Sequence, residues 1–263
     1  MRAAWIQAEI CDGETAQKRK EKAGQSIEEL LCRTKGEEPD LILLPELWPC
    51  GFFDFASYRK SAEETPEYMD WLRETAKRFG IWIVTGSMIE KEDGKYYNTC
   101  RILDREGREA GKYRKIHLFG YESEEKKCLS QGEEAVVVQT EWGKAGLATC
   151  YDLRFPEQFR RMAEEGASCF FVVSAWPSAR LSHWRLFNQV RALENQCFLV
   201  SCNSAGTQLG TEYAGHSMAV GPDGTILAEA GKEPGVGRAV LDWNEVKRYR
   251  ESFPAWEDRK SWS

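Results

Sequence analysis

Gly146-Leu147-Ala148-Thr149-Cys150-Tyr151-Asp152-Leu153-Arg154-Phe155-Pro156-Glu157 is the stretch around which the chain is organised. The apolar run from Ala145 to Thr149 has the length of a buried strand. It stops at Cys150. A polar turn follows, and Pro156 opens a helical pattern, where a missing N–H is no loss because the first helical N–H groups lack intrahelical partners. Cys150 therefore stands at a strand-to-helix elbow. Such a corner presents the thiol at the carboxyl end of a strand, with the next backbone N–H groups pointing the same way, which suits a nucleophile with an oxyanion donor beside it. A buried cysteine taken alone is more often a small hydrophobe. A matching carboxylate and lysine elsewhere in the chain would decide for the nucleophile.

Upstream, Asp40 introduces Leu41-Ile42-Leu43-Leu44, a fully buried strand that Pro45 ends because it cannot donate to the ladder. Glu46 follows at the carboxyl end, between apolar neighbours on both sides. It reads either as an exposed loop glutamate or as a desolvated general base with a raised pKa. Gly111 to Gly120 holds three cations in four residues, ordinarily a solvated face. Yet Ile116-His117-Leu118-Phe119 is apolar, so Lys115 lies at the edge of a buried patch, where it could stabilise an oxyanion or a thiolate. The acidic, irregular segment from Tyr121 to Gln131 reads as a loop over the site.

The remaining elements alternate. Strands are expected at 3–8, 81–89, 96–103, 135–139, 168–175, 197–202, 213–220, 226–230 and 236–241. Amphipathic helices are expected over 14–35, 66–79, 156–165, 182–195 and 242–250, the second closed by Gly80 as C-cap. Gly51 to Tyr58 reads as an aromatic loop, and Glu92-Asp93-Gly94-Lys95 as a hairpin turn. Residues 1–263 thus read as one α/β domain with two mixed β-sheets and helices outside. Trp256 and Trp262 in the tail would pack either on a partner subunit or on the chain's own core.

Composition narrows the class. Hydrophobic residues make up 42% and charged residues 30% of 263, and the net charge of −6 argues against nucleic acid or an anionic membrane as partner. No apolar run is long enough to span a bilayer, and the N-terminus turns polar too soon for a signal peptide. Nine cysteines without a Cys-x-x-Cys spacing, and three scattered histidines, read as reduced thiols of a cytoplasmic protein, not a disulfide scaffold or zinc site.

Three reactive groups, Glu46, Lys115 and Cys150, now fall at or near strand ends, where ligand sites of α/β proteins gather. With these residues the chain resembles the nitrilase superfamily, the carbon–nitrogen hydrolases with a Glu-Lys-Cys triad. The matches are Leu44-Pro45-Glu46-Leu47-Trp48, Tyr113 to Phe119, Cys150 to Glu157, Trp176-Pro177, Arg191 to Gln196, Asn203, Gly206, Gly215-His216-Ser217-Met218 and Pro222-Asp223-Gly224, in the family's order over essentially the full length. The resemblance implies a four-layer α-β-β-α sandwich, paired as a homodimer or higher homo-oligomer. It implies a second, supporting glutamate four residues before an L-x-x-G pattern; Leu129-Ser130-Gln131-Gly132 places it at Glu125, with Glu122 and Glu124 close by. Trp176-Pro177, Arg180 and His183-Trp184, with Phe119 after the lysine, resemble the ω-amidase branch, which acts on 2-oxoglutaramate and related ω-amides.

The expected chemistry is hydrolysis of a non-peptide C–N bond. Lys115 and the elbow amides lower the Cys150 pKa, or Glu46 takes its proton; the thiolate attacks the amide, and Lys115 and the Tyr151 N–H hold the oxyanion. Glu46 serves the leaving ammonia and then the water that cleaves the thioester, and Glu125 orients substrate or tunes Lys115. Phe119, Trp176 and Arg180 line the substrate site, with Arg180 on a distal carboxylate or else at the surface. Arg154 and Arg191 read as structural ion-pair partners. No metal or organic cofactor is expected. The alternatives are an N-carbamoyl amine hydrolase or a nitrilase with the same triad, a catalytically silent scaffold, and a redox-sensing thiol.

Overall fold

The structure is a computed structural model that describes residues 1–260. In chain order the elements are β1 (Arg2–Gln7), α1 (Ala16–Arg33), β2 (Leu41–Leu43), α2 (Tyr58–Phe79), β3 (Trp82–Glu92), β4 (Lys95–Leu103), β5 (Glu109–Arg114), α3 (Glu125–Cys128), β6 (Val136–Gln139) and β7 (Lys144–Thr149). They continue as α4 (Pro156–Glu164), β8 (Cys169–Ser174), α5 (Leu181–Asn195), β9 (Phe198–Asn203), β10 (Thr207–Gln208), β11 (Thr211–Glu212), β12 (Met218–Val220), β13 (Ile226–Glu229), β14 (Gly235–Val240) and α6 (Asn244–Ser252). Cys150–Arg154 forms a turn of 3-10 helix between β7 and α4.

Two six-stranded mixed sheets carry the molecule, in the orders β14-β1-β2-β3-β4-β5 and β13-β12-β9-β8-β7-β6. Each has a parallel centre, β1-β2-β3 in one and β7-β8-β9 in the other, flanked by antiparallel strands. The central strands read as continuous apolar runs because both faces are covered. In β8, Cys169, Phe171 and Val173 face the other sheet, while Phe170 and Val172 face α4 and α5. In β1, Ala3 and Trp5 point inward between the sheets and Ala4 and Ile6 point outward under α1 and α2. Three apolar layers result, one between the sheets and one under each helical layer, which is the expected α-β-β-α sandwich.

Local chemistry accounts for the element ends. Thr15 caps α1 by accepting the Lys18 N–H at 3.2 Å. Gly80, at φ 62°, closes α2 in the left-handed C-cap conformation.

Two expectations are corrected. Helix α2 begins at Tyr58, not at residue 66, and Pro66 lies inside it. Proline removes one helical hydrogen bond, but Tyr58, Ala62, Tyr68, Met69 and Leu72 on the inner face are buried, and that packing carries the helix through. The strand expected at 213–220 is confined to Met218–Val220, and a β10–β11 hairpin precedes it. Within the acidic loop, Glu125–Cys128 makes one helical turn.

Trp256 packs on the chain's own core, against the layer that holds α4 and α5, with the Arg250 guanidinium 4.5 Å from its ring centroid. Trp262 lies outside the described residues.

Candidate active site

The carboxyl ends of the central strands of both sheets converge on one cavity. Glu46 follows β2 and is fully buried. Its turn packs against a bulge in β3 at Gly86, which has φ +69° and where a Cβ would lie 2.2 Å from the Pro45 carbonyl oxygen. Only glycine fits there. Ser87 completes the hold, its hydroxyl accepting the Leu47 N–H at 3.1 Å and its N–H donating to the Pro45 carbonyl at 3.2 Å.

Lys115 is the first residue after β5 and is also buried. Its Nζ donates to Glu46 Oε1 at 2.8 Å and to Glu125 Oε1 and Oε2 at 2.9 and 3.0 Å. Burial opposes the lysine charge, but Glu125 and Glu46 more than offset it and hold Lys115 above the usual lysine range. Burial, with Glu46 beside it, pushes the Glu125 carboxyl up against the pull of Lys115. Glu125 also accepts the Phe119 N–H at 2.6 Å. Of the three acidic residues of that loop, Glu125 is the one that reaches Lys115. Glu124 is exposed and pairs with Lys127, and Glu122 sits at the exposed rim of the cavity.

Cys150 closes the constellation. It has φ +48°, a left-handed conformation uncommon for a residue with a Cβ, so the elbow stores strain. Asp152 holds the turn in place. Its buried carboxylate accepts the Thr149 N–H at 2.8 Å, the Tyr113 hydroxyl at 2.6 Å and the His117 N–H at 3.1 Å, with His117 Nδ1 at 2.8 Å. One carboxylate thus ties the cysteine elbow to the segment that carries Lys115. Burial raises the Cys150 thiol well above the usual range, and Glu46 adds to the rise while Lys115 opposes it. Of the two expected routes, a thiol pKa lowered by Lys115 and the elbow amides or proton removal by Glu46, the direction of this shift favours the second.

Above Cys150 lies a cavity of about 190 Å³ walled by Phe52, Phe119, Tyr151 and Trp176, with Arg154 and Arg180 in its lining. The Trp176 indole donates to the Arg180 carbonyl at 2.9 Å, and the Arg180 guanidinium lies over the Phe119 and Tyr121 rings. Arg154 was expected to form a structural ion pair. Instead it lies over Trp176, 5.0 Å from the ring centroid, and among the described residues neither Arg154 nor Arg180 has a carboxylate within salt-bridge reach. Burial and the Arg180 cation pull Arg154 below the ordinary guanidinium value. Arg191 does have the structural role, pairing with Glu194 at 2.6 Å and donating to the Leu153 carbonyl at 3.0 Å.

Sequence reasoning missed four residues of this site: Asn98, Tyr113, His117 and Asp152. Asp152 and His117 lay within the motifs but carried no role, because their partner lies 35 residues away. Asn98 left one signal, a polar residue inside a strand that is otherwise buried.

The arrangement joins a thiol, a carboxylate, an ammonium and a second carboxylate at the floor of an apolar pocket with the Arg154 and Arg180 guanidiniums in its wall. It can support nucleophilic attack on a carbonyl, oxyanion stabilisation and proton transfer.

Comparison with known proteins agrees. The carbon–nitrogen hydrolase family model matches residues 2–251. A 2-oxoglutaramate amidase of Bacillus subtilis is 39% identical over 231 residues, 88% of each chain. A 2-oxoglutaramate amidase of Paenarthrobacter nicotinovorans is 39% identical, covering 84% of this chain and 79% of its own. The crystal structure of Saccharomyces cerevisiae Nit3, described as a member of branch 10 of the nitrilase superfamily, superposes with a TM-score of 0.88 at 30% identity, covering 97% of this chain and 94% of that one. The chain belongs to the carbon–nitrogen hydrolases of the nitrilase superfamily.

Proposed function

Within that family, we propose that the enzyme is an ω-amidase, releasing ammonia from the ω-amide of a short dicarboxylic acid such as 2-oxoglutaramate through a thioester on Cys150. The observation that carries this reading is the pair of guanidiniums, Arg154 and Arg180, which have no carboxylate partner among the described residues and stand in the wall of an apolar pocket above Cys150. A cation in the wall of an apolar pocket favours a counter-charge on the ligand, and a planar fork matches a carboxylate. A substrate with an amide at one end and a carboxylate at the other would fill both needs. The identity to relatives named 2-oxoglutaramate amidase supports the same substrate class.

The steps follow from the groups present. Cys150 rests as a thiol, so Glu46 takes its proton as the sulfur attacks the amide carbon. The C–S bond forms, and the carbonyl oxygen becomes an oxyanion held by the Lys115 ammonium and the Tyr151 N–H. Collapse breaks the C–N bond, and Glu46 returns the proton to the departing ammonia. Water then adds to the thioester with Glu46 again as base, the C–S bond breaks, and the free acid leaves with the thiol restored. Glu125 keeps Lys115 charged and aimed. Phe119 and Trp176 hold the carbon chain of the substrate.

Ammonia release from 2-oxoglutaramate, a neutral aliphatic amide, an N-carbamoyl amine and a nitrile tests the reading. The expected result is turnover of the ω-amide, with Arg180→Ala and Arg154→Ala each raising its KM by about 10–100-fold, the size of a lost hydrogen bond to a charged group, and leaving the KM of the neutral amide nearly unchanged. An equal rise for both substrates would remove the carboxylate role. Preference for the carbamoyl compound or the nitrile would move the substrate class.

The enzyme also reads as a cytoplasmic homodimer. All nine cysteines are free, which suits a reducing compartment. Leu186 and Leu193, seven residues apart on α5, are 58% and 46% exposed and make an apolar stripe fit for a second copy. Sedimentation at micromolar concentration should give twice the chain mass, and Leu186→Glu with Leu193→Glu should halve it. A monomeric wild type would remove this reading.

A further inference from the structure

Three charged groups meet at the floor of the site: one ammonium and two carboxylates, all out of water. Lys115 directs its hydrogen bonds to the carboxylates, one to Glu46 and two to Glu125. With both carboxylates ionised, the cluster carries one negative charge more than its lysine neutralises, and such an excess is costly at this burial. The neutral side chain that meets it is Asn98, on β4 and 1% exposed. Its Nδ2 donates to Glu46 Oε1 at 2.8 Å and to Glu125 Oε1 at 3.2 Å, and its backbone carbonyl accepts the Lys115 N–H at 2.9 Å. One residue therefore touches all three members of the cluster.

The chemistry of the side chain is specific. A primary amide nitrogen offers two N–H donors from one atom, so it can bridge two carboxylates without adding a charge. Serine or threonine has one donor, and aspartate would add a third carboxylate. The amide orientation is settled by the same contacts, since a flip would set Oδ1 against both carboxylates. Oδ1 itself is buried and has no hydrogen-bond partner among the described residues, so nothing else on the side chain accounts for the polar residue here.

We propose that Asn98 is a positioning residue of the reaction: it bridges Glu46 and Glu125 and decides which Glu46 oxygen works as the base. Lys115 and Asn98 together occupy Oε1. Among the described residues Oε2 accepts only the Ala175 N–H, at 2.9 Å, and keeps a lone pair for the proton exchanged with Cys150 and the leaving group.

The proposal rests on Glu46 being the base, and the test keeps the two apart. Asn98→Leu removes both donors at similar volume, and Asn98→Ser leaves one. The readout is the pH dependence of kcat/KM for 2-oxoglutaramate, with kcat and KM separated, and thermal melting to establish folding. Removing a donor disfavours the charged form of a general base, so the acid limb of the profile should move up by about one pH unit in Asn98→Leu and by less in Asn98→Ser, with kcat lowered and KM within about twofold of wild type. An acid limb at the wild-type position in a folded variant, or a loss confined to KM, would overturn the proposal. If Asn98→Leu does not fold, the Asn98→Ser profile decides by the same criteria. Glu46→Gln at full activity would remove the base reading itself, whereas an inactive Glu46→Gln with an unmoved Asn98 profile would overturn only the positioning role.

Discussion

Lys115→Met should lower stability and turnover together, and the stability loss should depend on pH. The ammonium is the only cation bonded to Glu46 and Glu125 among the described residues, and all three groups are buried. Removing one partner from a buried ion cluster leaves charge without compensation, which typically costs about 3–5 kcal/mol. Losing the ammonium as an oxyanion donor should lower kcat by a further factor of about 10²–10³. The sign of the pH effect follows from proton linkage. In the wild type Lys115 is held above its ordinary range, so its contribution is present at neutral pH and lost only as pH rises beyond the usual lysine value of roughly 10.4. In the variant the opposing pull of Lys115 is gone, so burial and the neighbouring Glu46 raise the folded Glu125 carboxyl further above the unfolded value of about 4.3. The folded state then binds more protons than the unfolded one, so stability falls as pH rises. Urea melts of Lys115→Met should show a larger deficit against wild type at pH 8 than at pH 5. An equal deficit at the two pH values would mean that the carboxylates do not depend on Lys115 for their charge.

Cys150→Ala should reduce ammonia release by at least about 10⁴-fold, the scale on which a covalent nucleophile is missed. The fold should survive, since alanine can occupy the same left-handed elbow at similar cost and the Asp152 bonds do not involve the sulfur. Retained turnover would sink the thioester. The thiol's own titration gives a second, independent reading. Because burial and Glu46 hold the thiol up, alkylation by iodoacetamide should be slow at neutral pH and should still be rising above the ordinary cysteine value of about 8.5. Glu46→Gln removes a negative neighbour, so its alkylation curve should move to lower pH while its turnover disappears. A curve that moved to higher pH would mean that Glu46 assists ionisation of the resting thiol instead of opposing it.

These two substitutions act on residues that the sequence brings to notice, whereas the groups that hold them in place do not stand out there. Pro45-Glu46 after a buried run, Lys115 at the edge of an apolar patch and Cys150 between an apolar run and Pro156 are local patterns, each readable within about ten residues. Asn98 is a polar residue in a strand with no local sign of two carboxylates beside it, 52 and 27 residues away in the chain. Asp152 lies in the motif, yet its bonds to Tyr113 and His117 follow from β5 and β7 being placed in facing sheets. Arg154 reads as an ion-pair partner until the carboxylates around it can be located, and none lies within reach among the described residues. Likewise Pro66 ends a helix by local rules, and only the burial of the α2 inner face overrides it.

By itself the sequence determined the two mixed sheets, the outer helices and the strand-end places of Glu46, Lys115 and Cys150. Burial on one face or both writes itself into the period and length of apolar runs. Only the tertiary structure decided which glutamate of the acidic loop meets Lys115, that burial raises the Cys150 thiol, and that among the described residues no carboxylate pairs with the two arginines of the pocket wall. Those are matters of distance and desolvation between groups far apart in the chain, and no local pattern encodes them.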